Sequence, residues 1–470
     1  MKKTLTILKF QTINNKLYLL LIILSIGNQS IAQCWEKVEK GAWHTLAIQD
    51  DGKLLSWGLN EYGQLGIGNT TNMLSPVQVG TDSDWLFAEG GLYHSVALKT
   101  DHSLWAWGSN QQGQIGDGTN TDSNVPVKVN TDTNWQAVGV GNFFTVALKN
   151  DGTLWSWGLN DHGQLGDNTT NNRNVPEQIG LDQDWESFSV GLFHVLAIKT
   201  DGTLWGWGLN NYGQFGDGSI TNRLEPTQIA PGTDWKEVSA SWDHTLGIKN
   251  DSTLWAWGRN NKSQLGNGTS SQTLTLSPIK IGLDNDWKNI KTYYHHNLAQ
   301  KNDNTLWVWG YNSNGQLGNG TLDNILQPTL FDASNNWKTA ALGAFNTYAI
   351  STDNILYSCG KNEYGELGDG TTIDRLEPVQ VDCILLDTED LEISQQVLVY
   401  PNPTQKSIHI VASQKGTIEQ ISIIDLTGKF IIKDQLFNNE EVNADFLDAG
   451  LYVLQIVLNG EIHNIKLIKN

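Results

Sequence analysis

Cysteine is nearly absent from the 470 residues, which contain three, and methionine occurs twice. Three cysteines cannot build a disulfide-dense scaffold, and Cys34, Cys359 and Cys383 show no metal-ligand spacing. Positive charge is also scarce: 30 Lys and Arg stand against 50 Asp and Glu, a net charge of -20. Such a surface repels a phosphate backbone instead of releasing its counterions, so nucleic acid is not an expected partner. Long hydrophobic runs are missing as well. The stretch Leu17 to Ile26 holds about ten apolar residues, short of the roughly 20 that span a bilayer as a helix, so no transmembrane anchor is expected. No nucleophile motif, metal-ligand spacing or phosphate site stands out, and no catalytic residue, metal or cofactor is assigned.

The apolar run has another reading. Lys2, Lys3, Lys9 and Lys16 precede it and Ser30-Ile31-Ala32 follows, the order of an export signal with a small-x-small cleavage site. Residues 1-32 are read as a signal peptide, whose removal exposes Gln33. Cys34 invites a lipoprotein reading, but bulky Gln33 stands where a small residue should precede a lipidated cysteine.

What the sequence has in excess is tryptophan and glycine. All 20 Trp lie between Trp35 and Trp337, beside 47 Gly along the chain. Trp35, Trp85, Trp135, Trp185, Trp235, Trp287 and Trp337 open units of about 50 residues, and a fixed interval later stand Asn60, Asn110, Asn160, Asn210, Asn260, Asn312 and Asn362. Within a unit, four short apolar runs alternate with turn residues, as in a four-stranded meander; in one unit they centre on residues 185-190, 194-199, 204-207 and 226-229. Asp201-Gly202 suits the hairpin turn, where other units place His102, Ser252, Asn304 or Asn354 at the Gly position. Ala47, Ala97, Ala147, Ala197, Gly247, Ala299 and Ala349 share one position of the second strand, a demand for small side chains read as crowding at an axis. The G-Q-L-G-D-G stretch, as in Gly113 to Gly118, has neither the Lys nor the helix of a phosphate loop and recurs in the units, so it reads as structural.

The pattern Gly191-Leu192-Phe193-His194, Asp201 to Gly208 and Asn210 to Gly216 resembles the regulator-of-chromosome-condensation repeat. The resemblance covers residues 35 to about 382 and implies a seven-bladed β-propeller, while saying little of function. Nucleotide exchange on a nuclear GTPase, known in that family, does not suit an acidic exported chain. Cys34 directly precedes the first Trp and Cys383 follows the last strand, positions that residues 79-85 join in an intact unit, so ring closure predicts a disulfide between them. Two free thiols are the alternative. Cys359 replaces a Trp and is expected to be buried and inert.

After Cys383 tryptophan disappears. An acidic linker, 384-394, leads to Tyr400-Pro401-Asn402-Pro403, Asp425-Leu426-Thr427-Gly428-Lys429, Leu447 to Tyr452 and a basic end at Lys466 to Lys469. These motifs resemble the type A C-terminal sorting domain of type IX secretion, which implies a small immunoglobulin-like β-sandwich over 395-470, an outer-surface or secreted address reached through the periplasm, and handling by the type IX machinery. The whole is expected to be all-β: signal peptide 1-32, seven-bladed propeller 33-383, linker 384-394 and sorting domain 395-470.

Function is expected at one mouth of the propeller. Just ahead of each second strand stands an aromatic residue: Trp43, Tyr93, Phe143, Phe193, Trp242, Tyr294 and Phe345. Aromatic clusters are the usual anchors of recognition, and Asp243 and His295, which break the pattern, are candidates for specific polar contacts. The expected ligand is an extracellular protein or glycan bound by a monomer. The alternatives are rings that merely cap the core and a polysaccharide-active enzyme, a lyase or hydrolase, built at the same mouth. His44, His94, His194, His244 and His296 share one position, with Phe144 and Asn346 in the other units, and a histidine repeated in so many blades is expected to be structural.

Overall fold

The computed structural model describes residues 34-230, 234-332 and 336-383, and in the tail 397-400, 404, 406-412, 418-425, 430-436, 441-448, 450-458 and 461-469. The signal peptide, the acidic linker and most of the Pro-Asn-Pro and Asp-Leu-Thr-Gly motifs lie outside the described residues. The chain divides into two compact units, up to Cys383 and from Ile384. Among the described residues no helix is long and apolar enough to cross a membrane.

The first unit consists of seven four-stranded antiparallel sheets, each made of strands consecutive in sequence. Blade one holds Trp35–Lys40, His44–Gln49, Leu54–Gly58 and Met73–Gln78; blade four holds Trp185–Val190, His194–Lys199, Leu204–Gly208 and Arg223–Ala230. The hairpin between second and third strands needs positive φ, which Gly52, Gly152 and Gly202 supply without strain. His102, Ser252, Asn304 and Asn354 adopt the same conformation at φ of 60, 60, 66 and 59°.

Each second strand is sheathed by its neighbours and buried, as in His194–Lys199, with Lys249 at the end of its strand partly exposed, whereas outer strands leave Val125 and Val175 exposed. The small residue of that strand answers to tryptophan, not to the axis. Ala197 pairs with Phe188 on one side and Trp205 on the other. A Cβ on its counterpart Gly247 would come within 2.5 Å of the Trp235 ring. The expected crowding is therefore real, but it arises within the blade, where large rings lie over the strand.

Tryptophan also joins the blades. Trp107, Trp157, Trp207, Trp257 and Trp309 are fully buried and donate their Nε1–H to the main-chain oxygens of Gln64, Gln114, Gln164, Gln214 and Gln264 in the preceding blade, at 2.7 to 3.1 Å. Glycine lets the ring approach: a Cβ at Gly116 would fall 2.5 Å from Trp157 Nε1. Burying one such ring contributes about 5 kcal/mol as an upper bound on area transfer. The recurrent Asn is the hub of the glycine loop, its Oδ1 accepting the main-chain N–H of Leu65, Ile115, Leu165, Phe215, Leu265, Leu317 or Leu367. In the outer part of blades two to six a lysine lies between two indoles; Lys199 Nζ is 4.8 and 4.6 Å from the Trp185 and Trp205 centroids and 2.7 Å from Asp182.

The ring closes where blade seven meets blade one. Cys34 and Cys383 are joined by a disulfide with Cα atoms 6.3 Å apart. Trp35 Nε1 donates to the Val381 oxygen, and Trp57 Nε1 to the Glu366 oxygen at 2.7 Å. Cys359 is buried and free, with its thiol pushed up to about 12 by desolvation; it reaches the Gln316 oxygen that its Trp counterparts would have used.

The second unit has a three-stranded sheet of Val397–Tyr400, Ser407–Ala412 and Glu441–Asn443, and a four-stranded sheet ordered Phe430–Leu436, Ile418–Asp425, Gly450–Leu458, Glu461–Lys469. Ile408 and Ile410 from the first sheet and Ile421, Ile423, Leu454 and Ile456 from the second share one core, so period-two alternation hides the apolar side of both.

Candidate functional site

The turn from first to second strand carries every residue singled out at the mouth, and its backbone stitches the blades together. The main-chain N–H groups of Ala42, Leu92, Asn142 and Leu192 donate to the oxygens of Gly91, Asn142, Leu192 and Ser241 at 2.9 to 3.3 Å, and Ala344 to Ala42 at 3.4 Å. Ala42, Leu192 and Ala344 are buried in one cluster against which Trp43, Phe193, Trp242, Tyr294 and Phe345 pack. The mouth is therefore a floored surface with its rings half in solvent.

Trp43, Tyr93, Phe143, Phe193 and Phe345 immediately precede their second strands; Trp242 and Tyr294 stand one residue earlier, and Asp243 and His295 fill the vacated positions. Trp43, Phe345, Tyr294 and Trp242 form a continuous arc with centroids 5.6, 5.3 and 5.2 Å apart. Tyr93 and Phe143 pair at 6.2 Å, and Phe193 meets His162 edge-on. An outer ring was missed by sequence reasoning: Tyr62 packs on Tyr93, Tyr364 on Trp43, and Tyr311 reaches Phe345 and His295. Part of its signal was the variable residue two after the recurrent Asn, which gives Tyr62, His162, Tyr212, Lys262 and Tyr364 but Gln112 and Asn314 in the other units; Tyr311 stands one residue before Asn312 instead. Tyr294 holds φ of 49°, a left-handed backbone that costs a bulky residue about 1–2 kcal/mol.

The two pattern-breakers are brought together. Asp243 is fully buried, with Oδ1 3.3 Å from His295 Nδ1 and 3.5 Å from His244 Nδ1, and Oδ2 3.6 Å from Arg259 Nη1. Burial works against its ionisation, but His244 and His295 outweigh that penalty and hold the carboxyl well below the usual carboxylate range. His295 stacks on Trp242 with centroids 5.2 Å apart. Its Nδ1 is thus turned to the carboxylate, which leaves Nε2 as the ring's other polar end.

The recurrent histidines do structural work. His44 Nε2 meets Ser95 Oγ at 2.8 Å and His244 Nε2 meets Asn297 Oδ1 at 2.7 Å, while Ser95 Oγ and Asn297 Nδ2 donate to the oxygens of Gln64 and Gln264. Burial lowers His94, His194 and His296 to about 3, so these rings are neutral; His94 Nε2 reaches Thr145 Oγ1 and His296 Nε2 the Asn346 oxygen in the next blade, both at 3.3 Å, whereas His194 packs without such a bond among the described residues. Among the described residues no group of three His, Cys, Asp or Glu is arranged to hold a metal.

A second feature lies on the first strands, where a cavity of about 330 Å³ is lined by Glu39, Glu89, Glu237, Lys291 and Tyr293 among others. Lys291 Nζ is 3.4 Å from Glu39 Oε1, and Glu237 accepts the Ile290 main-chain N–H, with burial raising its carboxyl. These residues come from repeats far apart in sequence, and the sequence reading passed over them.

A closed ring of seven contiguous four-stranded blades with a recurrent inter-blade Trp defines a propeller of repeat type, followed by a carboxy-terminal β unit. Seven matches to the regulator of chromosome condensation (RCC1) repeat, at residues 51–98, 101–148, 151–198, 201–248, 251–299, 303–350 and 353–389, place the chain in that family. Each match runs from the outer half of one blade into the inner half of the next, so the repeat that starts at 353 has its missing half at the amino-terminal start of blade one; the Cys34–Cys383 bridge ties the two halves. Residues 398–470 match a secretion system C-terminal sorting domain, and the protein is exported by type IX secretion to the cell surface or beyond.

The ultraviolet-B receptor UVR8 of Arabidopsis thaliana is 43% identical over 61 residues, 13% of this chain and 13% of that receptor. Among solved structures, human WBSCR16 has a TM-score of 0.63 at 22% identity, covering 69% of this chain and 88% of that one. Prp20p of Saccharomyces cerevisiae has a TM-score of 0.65 at 19% identity, covering 78% and 90%. At these identities the likeness speaks for the fold.

Proposed function

We propose that the chain is an extracellular or surface interaction propeller that binds a protein or glycan through its aromatic mouth. The organisation that goes with this reading is a signal peptide at 1-32, a propeller at 33-383, a linker at 384-394 and a sorting domain at 395-470, acting as a monomer. The observation that carries it is the half-exposed arc Trp43, Phe345, Tyr294 and Trp242 on a floor whose backbone groups are already paired. Rings held in place on a rigid floor lose little freedom on binding, and aromatic anchors dominate interface energetics. The test is incubation of the secreted chain with an array of extracellular proteins and glycans, reading retained ligand and ligand mass together. Retention without a mass change, abolished in the Trp43→Ala, Trp242→Ala double variant, is expected; retention unchanged in that variant would show rings that only cap the core.

One arrangement favours a second reading, a polysaccharide-active enzyme. His295, with Nδ1 3.3 Å from buried Asp243 Oδ1, has a carboxylate where an oriented general base would have one. A lyase or hydrolase of this kind changes ligand mass and loses turnover in His295→Gln, whereas a binder keeps mass constant in both forms.

A further inference from the structure

Basic side chains are outnumbered 30 to 50 in this chain, yet two of them gather at the blade five and six sector of the mouth. Arg259, in the third strand Leu254–Asn260 of blade five, lies 5.0 Å from the Tyr212 ring and 3.6 Å from Asp243. Lys262, just beyond that strand, sits 4.9 Å over Tyr311, the ring that also meets His295 edge-on. Among the described residues no carboxylate lies within 4.0 Å of Lys262. Asp243 is the one acid in the cluster, and it is buried beneath it, shared by Arg259 and two histidines. Arg259 is thus partly balanced by Asp243, while Lys262 stands without an acidic partner among the described residues on a protein of net charge -20.

The same sector is floored by rings, with Trp242 and Tyr294 5.2 Å apart and His295 stacked on Trp242. Its main chain has little left to offer: Leu192 N–H goes to the Ser241 oxygen, Arg259 N–H to Asp243 and Tyr311 N–H to His295. A peptide recognised through its backbone would find those groups taken. A pyranose ring needs none of them, since its C–H face stacks on aromatic carbon and its charged substituent reaches the cationic tips.

We propose that this sector is a subsite for a uronate-bearing glycan, with the sugar ring on Trp242 and Tyr294 and the carboxylate taken by Lys262 and Arg259. The proposal rests on the mouth-binding reading above and adds the chemical class of the ligand. Asp243 then acts as a positioning residue, fixing Arg259 and His295 from below.

The test titrates the full secreted chain with polygalacturonate, with its methyl ester, in which charge is removed and the ring kept, and with poly-L-glutamate. Polygalacturonate is expected to bind, the ester and poly-L-glutamate to bind roughly tenfold more weakly or less, as expected when rim charge sets selectivity. The Arg259→Gln, Lys262→Gln variant should lose about tenfold in affinity for polygalacturonate and most of its salt dependence, while Lys262→Arg keeps both. Lys262→Gln alone, which breaks no ion pair among the described residues, should leave the thermal midpoint unchanged, and a cooperative thermal transition shows that the double variant, in which Asp243 loses Arg259, is folded. Equal binding of the ester, equal or tighter binding of poly-L-glutamate, absence of polygalacturonate binding, or an unaffected charge variant would each overturn the proposal. If the Trp43→Ala, Trp242→Ala variant abolishes binding while the charge variant is silent, the mouth reading stands and the uronate proposal alone fails; if both are silent, both fail.

Discussion

Two joints of one ring show how far a repeat can be bent without losing its frame. Between blades seven and one the turn positions are apolar: Trp43 meets Phe345 at 5.6 Å, with Lys361, paired to Glu363, lying over both rings; Ala344 hydrogen-bonds Ala42, and a disulfide closes the seam. Between blades five and six the same turn positions hold Asp243 and His295, and Ser241 Oγ donates to the Tyr294 oxygen where a main-chain N–H serves elsewhere. The backbone is shared and the chemistry is opposite. The seam is where the ring has to be held shut, and the five–six joint is where side chains are free to specialise, because strands consecutive in sequence already fix it.

The contrast can be broken from the seam side first. Cys34→Ser with Cys383→Ser removes a link across 349 residues. The chain-entropy relation puts the loss at about 6 kcal/mol. Urea unfolding of oxidised and double-variant protein measures it, and equal midpoints would mean that blade packing alone closes the ring.

Breaking the other joint should cost nearly as much for a different reason. Asp243→Ala leaves Arg259, His244 and His295 without their shared carboxylate, a loss of about 3–5 kcal/mol when a buried partner is removed. Phe193→Ala, at the equivalent position of blade four and half-buried, should cost about 1–2 kcal/mol. Similar values for the two in denaturant titrations would contradict the division of the mouth into a polar and an apolar side.

Acidity sharpens the comparison on a smaller scale. Glu366 takes the place that Gln holds in the other glycine loops; it is buried, with Oε2 accepting the Tyr364 N–H, and desolvation pushes its carboxyl up to about 7. A carboxyl that binds its proton more tightly in the folded state stabilises fully below its unfolded value near 4.5, and that contribution is lost as pH rises through about 7. The span corresponds to roughly 3 kcal/mol at most. Glu366→Gln should remove this decline, giving a higher thermal midpoint than the wild type at pH 8 and little difference at pH 4.5. A wild-type midpoint that does not fall from pH 5 to 8 relative to the variant would exclude a seam weakened by ionisation.

The sequence carried the frame because the residues that build it recur. The Trp of the Trp-Gly pair in the third strand of blades one to six reaches the main-chain oxygen of a Gln, or of Glu366 for Trp57, in the blade before, and each Asn holds its own glycine loop, so period alone exposes them. Cys34 and Cys383 were legible for the same reason, since they flank the gap that a repeat would have filled. Asp243 and His295 showed as breaks in the pattern, but their contact, across neighbouring blades, needed the fold. Glu39 and Lys291 are 252 residues apart and share one repeat position, four residues after Trp35 and Trp287, but the residue type there varies from unit to unit, so their pairing in one cavity needed the closed ring. The small residue of the second strand was legible as a constraint, though its cause is a Trp ring in the same blade.

The account turns on the mouth as a binding face, and the most direct measurement compares ligand retention by the secreted wild-type chain and the Trp43→Ala, Trp242→Ala variant across proteins and glycans. The account predicts a retained ligand of unchanged mass that the variant no longer holds while its fold is intact. A ligand held equally by both proteins, or one whose mass changes, would contradict it.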